Sequence, residues 1–277
     1  MIDKIQDPTA APGKHGFQVK RFSMERRMVR AVATEGRLQN NIHAMTEVDI
    51  SVPRRLMREH KQRHGESLSL TAYVIACLGR AISIHPDLNA FHKGRKLVIL
   101  DDVTISSQIE REIDGVLTPE PIGIQTAQQK DCRQITDEIR AAQSHEKDGF
   151  GGLSGVSWLR FLPAFLFRVF IRIASQSTSM MARYGAVGVT AVGMYGPRNQ
   201  AGWLLPLVGG ATVAVAVGAI VERPVLVDGQ LEFHEHLCLT VSFNHDIVDG
   251  APAARFLRTF SEYLKGGELV DEGIQSG

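Results

Sequence analysis

The stretch Phe243-Asn244-His245-Asp246-Ile247-Val248-Asp249-Gly250 sits where one kind of pattern gives way to another. Before it, Leu237 to Phe243 (LCLTVSF) is a short apolar run with the composition of a buried strand. After it, Ala251, Ala254, Phe256, Leu257, Phe260 and Leu264 recur at helical spacing through Lys265. A side chain on such a strand-to-helix turn commonly faces a cleft. An imidazole there can take up a proton near neutral pH and return it, which makes His245 a candidate general base. Asp249, four residues on, is close enough through a turn to brace the loop or pair with a cation, and Gly250 permits a backbone shape that other residues resist. From spacing alone, a purely structural His-Asp loop is an equally good reading.

Working outward, Ala211 to Ile220 (ATVAVAVGAI) and Ala186 to Ala191 read as two further strands, and Asp228-Gly229 is a hairpin signal that pairs the second strand with Leu237 to Phe243. Ala44 to Val52 alternates and suits a strand with one buried face. Arg54 to Arg63 reads as a charged helix ending near Gly65, and Ser69 to Ile84 as a long buried helix stopped by Pro86. Leu97 to Ile109 reads as strand, Asp114-Gly115 as another hairpin signal, and Gln125 to Ser144 as a polar helix. Residues 17–36 carry charge on a helical pattern. Strands and helices do not alternate regularly, which predicts an α+β fold with a mixed β-sheet. The reading gives a flexible N-terminal arm at 1–16, one domain over 17–266 and a polar C-terminal tail at 267–277.

The chain has 277 residues, 44% of them hydrophobic, enough for a full core. A formal charge of +1, from 31 basic and 30 acidic residues, argues against a nucleic-acid partner. Cys77, Cys132 and Cys238 follow no metal or redox spacing, and the first residues show no secretory pattern, so a cytoplasmic protein with reduced thiols is expected. Trp158 to Ala174 (WLRFLPAFLFRVFIRIA) is apolar but is broken by Arg160, Arg168, Arg172 and Pro163, too short an apolar run for a spanning helix. His234 and His236 form a His-x-His pair without a third ligand at useful spacing, read as exposed hairpin residues and not as a metal site.

The motif around His245, with its Ala-Arg-Phe-Leu helix (Ala254 to Leu257), resembles the C-terminal signature of the acyltransferase catalytic domains of 2-oxoacid dehydrogenase complexes. Met45-Thr46-Glu47-Val48-Asp49, Pro86-Asp87-Leu88-Asn89-Ala90, Gly193-Met194-Tyr195-Gly196, and Glu222-Arg223-Pro224-Val225 with Asp228-Gly229 resemble four more family motifs in the same order, so the resemblance covers about residues 20–265. It implies a chloramphenicol acetyltransferase-like two-layer sandwich. It also implies a second catalytic position three residues before Gly193, which is Thr190, whose hydroxyl would donate to a tetrahedral oxyanion. The implied reaction is direct acyl transfer between thioesters. His245 serves as base, coenzyme A or acyl-CoA as substrate, a lipoyl group on a separate partner chain is possible, and no metal is needed. The implied assembly is a homotrimer with the histidine of one subunit facing the hydroxyl of its neighbour. Two rival readings are acyl transfer from acyl-CoA to an amine or hydroxyl acceptor, and a non-catalytic scaffold of the same fold.

The chain departs from the family in several places. Asn244 stands where the family has Asp, and Asp246 where it has Arg, which reverses charge beside the histidine. Arg26 or Arg27 is expected to balance Asp246 or Asp249, and Asn244 and Gly250 to support the site. An apolar insertion at about 151–183 is expected to be a helix packed on its own trimer, a wall or lid for a larger acyl group, or a surface helix that touches a partner or a membrane through 158–173. The polar C-terminus predicts a trimer without higher assembly.

Overall fold

A computed structural model describes residues 24–113, 116–144, 164–193, 196, 199–206 and 209–270. The expected N-terminal arm, the Asp114-Gly115 turn, the first part of the insertion, Met194-Tyr195 and the tail from 271 lie outside them. In chain order the elements are α1 (Met24–Gly36), β1 (Asn41–Asp49), α2 (Ser51–His64), α3 (Leu70–Ile84), β2 (Ala90–Lys93), β3 (Lys96–Ile99), β4 (Ile105–Ile113) and β5 (Val116–Ile124). They continue with α4 (Cys132–Ser144), α5 (Ala164–Ala174), α6 (Thr178–Tyr184), β6 (Val187–Ala191), β7 (Val213–Val227), β8 (Gln230–Asn244) and α7 (Gly250–Gly266). Six strands form one sheet in the order β1-β8-β7-β6-β4-β5. Strand β6 runs parallel to both β7 and β4, and the remaining pairs are antiparallel, so the sheet is mixed as expected.

Helices α3 and α7 cover one face of this sheet. Ser69 caps α3, its side chain accepting from the Ala72 N–H at 3.3 Å, and Ala72 to Leu78 are all buried. Phe256 of α7 meets Phe243 of β8 edge-on at 5.8 Å, joining the helical layer to the sheet. The Tyr73 hydroxyl lies within 3.0 Å of the Tyr263 and Leu264 carbonyls, to which it donates, and it accepts the Gly267 N–H at 3.1 Å. One side chain of α3 thereby satisfies the C-terminal end of α7. Beyond that end, Leu269 and Val270 are buried in the core, so the packed structure runs through 270 and the polar stretch expected from 267 begins later.

Two expected elements differ. Leu97 to Ile109 is not one strand: β3 pairs with β2 in a separate hairpin, and β4 belongs to the main sheet. The corner between them is held by buried Asn89, whose Nδ2 donates to the Leu100 and Asp102 carbonyls at 2.8 and 3.0 Å. The helix expected over Gln125 to Ser144 starts only at Cys132. Ala127 instead begins a short 3-10 turn pressed against α3 at Gly79, where a Cβ would lie 2.7 Å from the Ala127 backbone.

Two motifs quoted for the family resemblance meet in space. Arg223 on β7 donates to both carboxylate oxygens of Glu47 on β1, at 2.8 and 2.7 Å across β8. Two residues further along β1, Asp49 Oδ2 lies 2.6 Å from Nδ1 of His234, which stands opposite Arg223, so His234 is a paired residue and not the exposed hairpin residue expected. The hydrogen bond to Asp49 holds the His234 pKa above the ordinary imidazole range. Burial opposes ionisation of Asp49, but the bonds from His234 and Ser51 outweigh it and hold this carboxyl below its usual range.

Replacing Tyr73 with Phe leaves buried backbone groups unsatisfied and is expected to lower unfolding free energy by about 1–3 kcal/mol, read as a lower urea midpoint; an unchanged midpoint would count against this role. The His234–Asp49 pair has a pH signature as well. The raised His234 pKa contributes stability below pH 6.5 that is lost as pH rises through the folded value, and the lowered Asp49 pKa contributes stability above pH 3.8 that is lost as pH falls. The Tm difference between wild type and His234→Ala should therefore be largest between these values and shrink in alkaline buffer.

Candidate active site

Strand β8 carries the histidine to its place. Asn244 closes the β1–β8 ladder opposite Asn41, and the chain then turns. Asn40, just before β1, holds that turn twice: its carbonyl accepts the His245 N–H at 2.6 Å, and its Nδ2 donates to Asp246 Oδ1 at 2.8 Å. Buried Asn244 works from the inside, its Oδ1 accepting the Asp246 N–H at 3.1 Å and its carbonyl accepting the Ile247 and Val248 N–H groups. The turn is thus tied at almost every residue, which restricts where the imidazole can go.

The His245 ring is 44% exposed, and its Nδ1 lies 3.0 Å from the Val248 carbonyl. A carbonyl only accepts, so Nδ1 carries the proton and the neutral ring presents Nε2 as an unprotonated acceptor. Asp249 is the N-cap residue of α7 in extended conformation, where its charge suits the helix dipole. Its carboxylate is 86% exposed and 3.8 Å from His245 Nδ1, so the nearer brace on the ring is the Val248 carbonyl.

Several expectations about the surroundings change. Gly250 is not among the positive-φ residues, and a Cβ there would meet nothing within 4 Å, so the chain does not need glycine at this position for its backbone shape. Arg26 and Arg27 lie on α1, but Asp246 is held by Asn40, and Asp249 faces His245. Among the described residues no group of three His, Cys, Asp or Glu side chains is arranged to hold a metal ion. All three cysteines are buried, and burial pushes the Cys132 thiol up to about 12.

Thr190 lies on β6, opposite Ala216 of β7. Strand alternation turns it away from Val189 and Ala191, which pack into or against the helical core, and its hydroxyl makes no hydrogen bond among the described residues. It is not beside His245 of the same chain. Val187 aligns with Val213 and Phe243, so Thr190 stands three positions to one side of that level and His245 two to the other. At about 3.3 Å per residue and 4.8 Å per strand, the two lie roughly 16 Å apart along the strands and about 10 Å across them.

Asn40 was missed by sequence reasoning because nothing marks Asn40-Asn41 as a motif. Only the β1–β8 register brings it to the histidine.

The molecule combines a mixed six-stranded sheet with a helical layer and carries an imidazole at the end of β8. Its fold matches that of a probable dihydrolipoamide acetyltransferase from Listeria monocytogenes 4b F2365, with TM-score 0.67 and 20% identity, covering 93% of this chain and 97% of that one. The cubic core of the pyruvate dehydrogenase multienzyme complex matches with TM-score 0.66 and 16% identity, covering 95% and 99%. The chain belongs to the family of 2-oxoacid dehydrogenases acyltransferase catalytic domains, whose family model matches residues 17–152 and 178–270. Among curated relatives, the dihydrolipoyllysine-residue acetyltransferase component of the pyruvate dehydrogenase complex of Bacillus subtilis (strain 168) is 22% identical over 275 residues, 95% of this chain and 54% of the relative. The corresponding component of the acetoin cleaving system of the same organism is 21% identical over 239 residues, 86% and 52%. The chain thus spans about half the length of these relatives.

Replacing Gly250 with Ala should leave the unfolding free energy unchanged or raise it by about 0.4–1 kcal/mol, because the backbone is already compatible with a side chain. A clear loss in a chemical denaturation series would show that the glycine is needed after all.

Proposed function

We propose that this protein transfers an acyl group between a thioester, acyl-CoA or acyl-dihydrolipoyl, and an acceptor thiol, with His245 as general base and Thr190 of a neighbouring subunit as oxyanion donor. The observation that carries the reading is the bond from His245 Nδ1 to the Val248 carbonyl. It leaves Nε2 able to take a proton from an attacking thiol and to return it to the leaving thiolate, with no covalent acyl-enzyme. As the thiolate attacks, the thioester carbonyl becomes a tetrahedral oxyanion, and a fixed hydroxyl donor stabilises that charge more than it stabilises the ground state.

The wide separation of Thr190 and His245 within one chain supports a site shared between copies, in a homotrimer. The projecting end of the β7–β8 hairpin supports assembly too. Pro224, Leu226, Leu231 and Phe233 share one of its faces by register, and three of them are exposed large apolar side chains, Phe233 by 66%. Trp203, Leu204, Leu205 and Met45 add further exposed apolar surface. A dihydrolipoyllysine residue on a partner protein is the acyl acceptor suggested by the names of the relatives, and coenzyme A is the thioester carrier that the family resemblance implies. No helix among the described residues is long and apolar enough to cross a membrane.

The test is acetyl transfer from acetyl-CoA to dihydrolipoamide. His245→Ala is expected to lower kcat by about 10²–10⁴-fold and Thr190→Val by about 10²–10³-fold. Co-assembling the two inactive variants should restore part of the turnover, because a mixed trimer contains an interface with both native groups. Full activity in His245→Ala, or no recovery on mixing, would refute the shared-site mechanism.

A further inference from the structure

Two features that set this chain apart from its family meet at one place. The family model leaves 153–177 unmatched, and that stretch ends, just after α5, in Ser175 and Gln176. Both line a cavity of about 100 Å³ that is also lined by Asn244 and Ile247, the residues flanking His245 and Asp246, together with His92 and Thr212. Asn244 is one of the positions at which the sequence departs from the family motif. The extra segment therefore ends against the loop that carries the histidine.

The hydrogen bonds around the cavity show what it presents. Asn244 Oδ1 accepts the Asp246 N–H, so its Nδ2 is the end of the amide left for a ligand, although the residue is only 7% exposed. Gln176 Oε1 accepts the Gly94 N–H at 3.4 Å, which leaves its Nε2 in the same position. Each orientation is set by a backbone donor and does not depend on a choice of amide flip. The Thr212 hydroxyl is spent on the Ala90 carbonyl and the Ser175 hydroxyl on the Arg172 carbonyl. Among the described residues the two amide ends are thus unpartnered donors, and no aspartate or glutamate lines the cavity to repel an anion. Its volume is on the order of three waters, room for one carboxylate or carbonyl group and the carbon that bears it.

We infer that this cavity is a specificity subsite for an oxygen-bearing group, a carboxylate or carbonyl, at the far end of the acyl chain, with Gln176 and Asn244 as the donors that read it. The inference rests on the acyl-transfer reading above and adds the substrate class: acyl thioesters with a distal oxygen, in preference to plain aliphatic ones. Ile247 and Phe91 supply the apolar part of the wall, against the carbon that bears the oxygen-bearing group.

Succinyl-CoA and butyryl-CoA test this directly, because both acyl chains have four carbons and only one ends in a carboxylate. By titration calorimetry the wild-type full chain is expected to bind succinyl-CoA about 10-fold or more tightly than butyryl-CoA, the range for hydrogen bonds to a charged group. Gln176→Leu should abolish most of that preference while its butyryl-CoA affinity stays at the wild-type value, which also reports that the variant is folded. Gln176→Glu should weaken succinyl-CoA further through repulsion between carboxylates. Equal binding of the two thioesters by wild type, or a preference that survives Gln176→Leu, overturns the subsite. Binding is read without turnover, so a preference found together with failure to acylate dihydrolipoamide would support the subsite and remove the acyl-transfer reading alone.

Discussion

The long antiparallel ladder between β7 and β8 is the constraint on which the rest of the molecule depends. It closes through Asp228 and Gly229, both at positive φ, the backbone that a two-residue hairpin turn matched to strand twist requires. From that turn the register runs without a break to Ile220 opposite Leu237, shifts between Val217 and Ile220, and continues to Val213 opposite Phe243. A one-residue slip would exchange the buried Leu237, Leu239, Val241 and Phe243 for Cys238, Thr240 and Ser242 on the helix-covered face, and would turn the end of β8 the wrong way. The irregularity in β7 is packed on glycine: a Cβ at Gly193 would run into the Gly218 carbonyl, and one at Gly218 into the Gly202 carbonyl. Gly193, read in the sequence as a motif glycine, is therefore required by close backbone approach.

Everything at the candidate site follows from where that ladder ends. Strand β1 pairs with β8 to its last residue, so the chain leading into β1 must pass the turn after β8, and Asn40 is the residue that passes it. The turn spends its polar groups on itself and on Asn40, which leaves the imidazole as the group with an accepting nitrogen exposed. The same geometry keeps Thr190 two strands away on β6, so a single chain does not bring Thr190 and His245 together.

The stretch without a family counterpart is placed where it can alter this site. Helix α5 packs against α1, with Leu166, Val169, Phe170 and Ile173 exposed, and the residues that follow it return to the neighbourhood of Asn244.

The sequence by itself determined the elements whose signals are local. Examples are the alternation in β1, the Ser69-capped helix α3, the Asp228-Gly229 turn and the amphipathic α7, each of which appears within a few residues of its expected limits. It also singled out His245, because a histidine between a strand pattern and a helix pattern is visible without coordinates. Tertiary structure alone decided what depends on partners distant in the chain. It divided Leu97 to Ile109 between two sheets through the buried Asn89 amide, turned His234 from a bare hairpin residue into a partner of Asp49, and placed Asn40 on the histidine turn. It showed that Gly250 has no steric need to be glycine. Periodicity and turn chemistry act over a few residues and can be read from the chain. Which side chain meets a given hydrogen-bonding group is set by the register of strands some 200 positions apart, as with Asn40 and Asp246, and that register exists only once the sheet has formed.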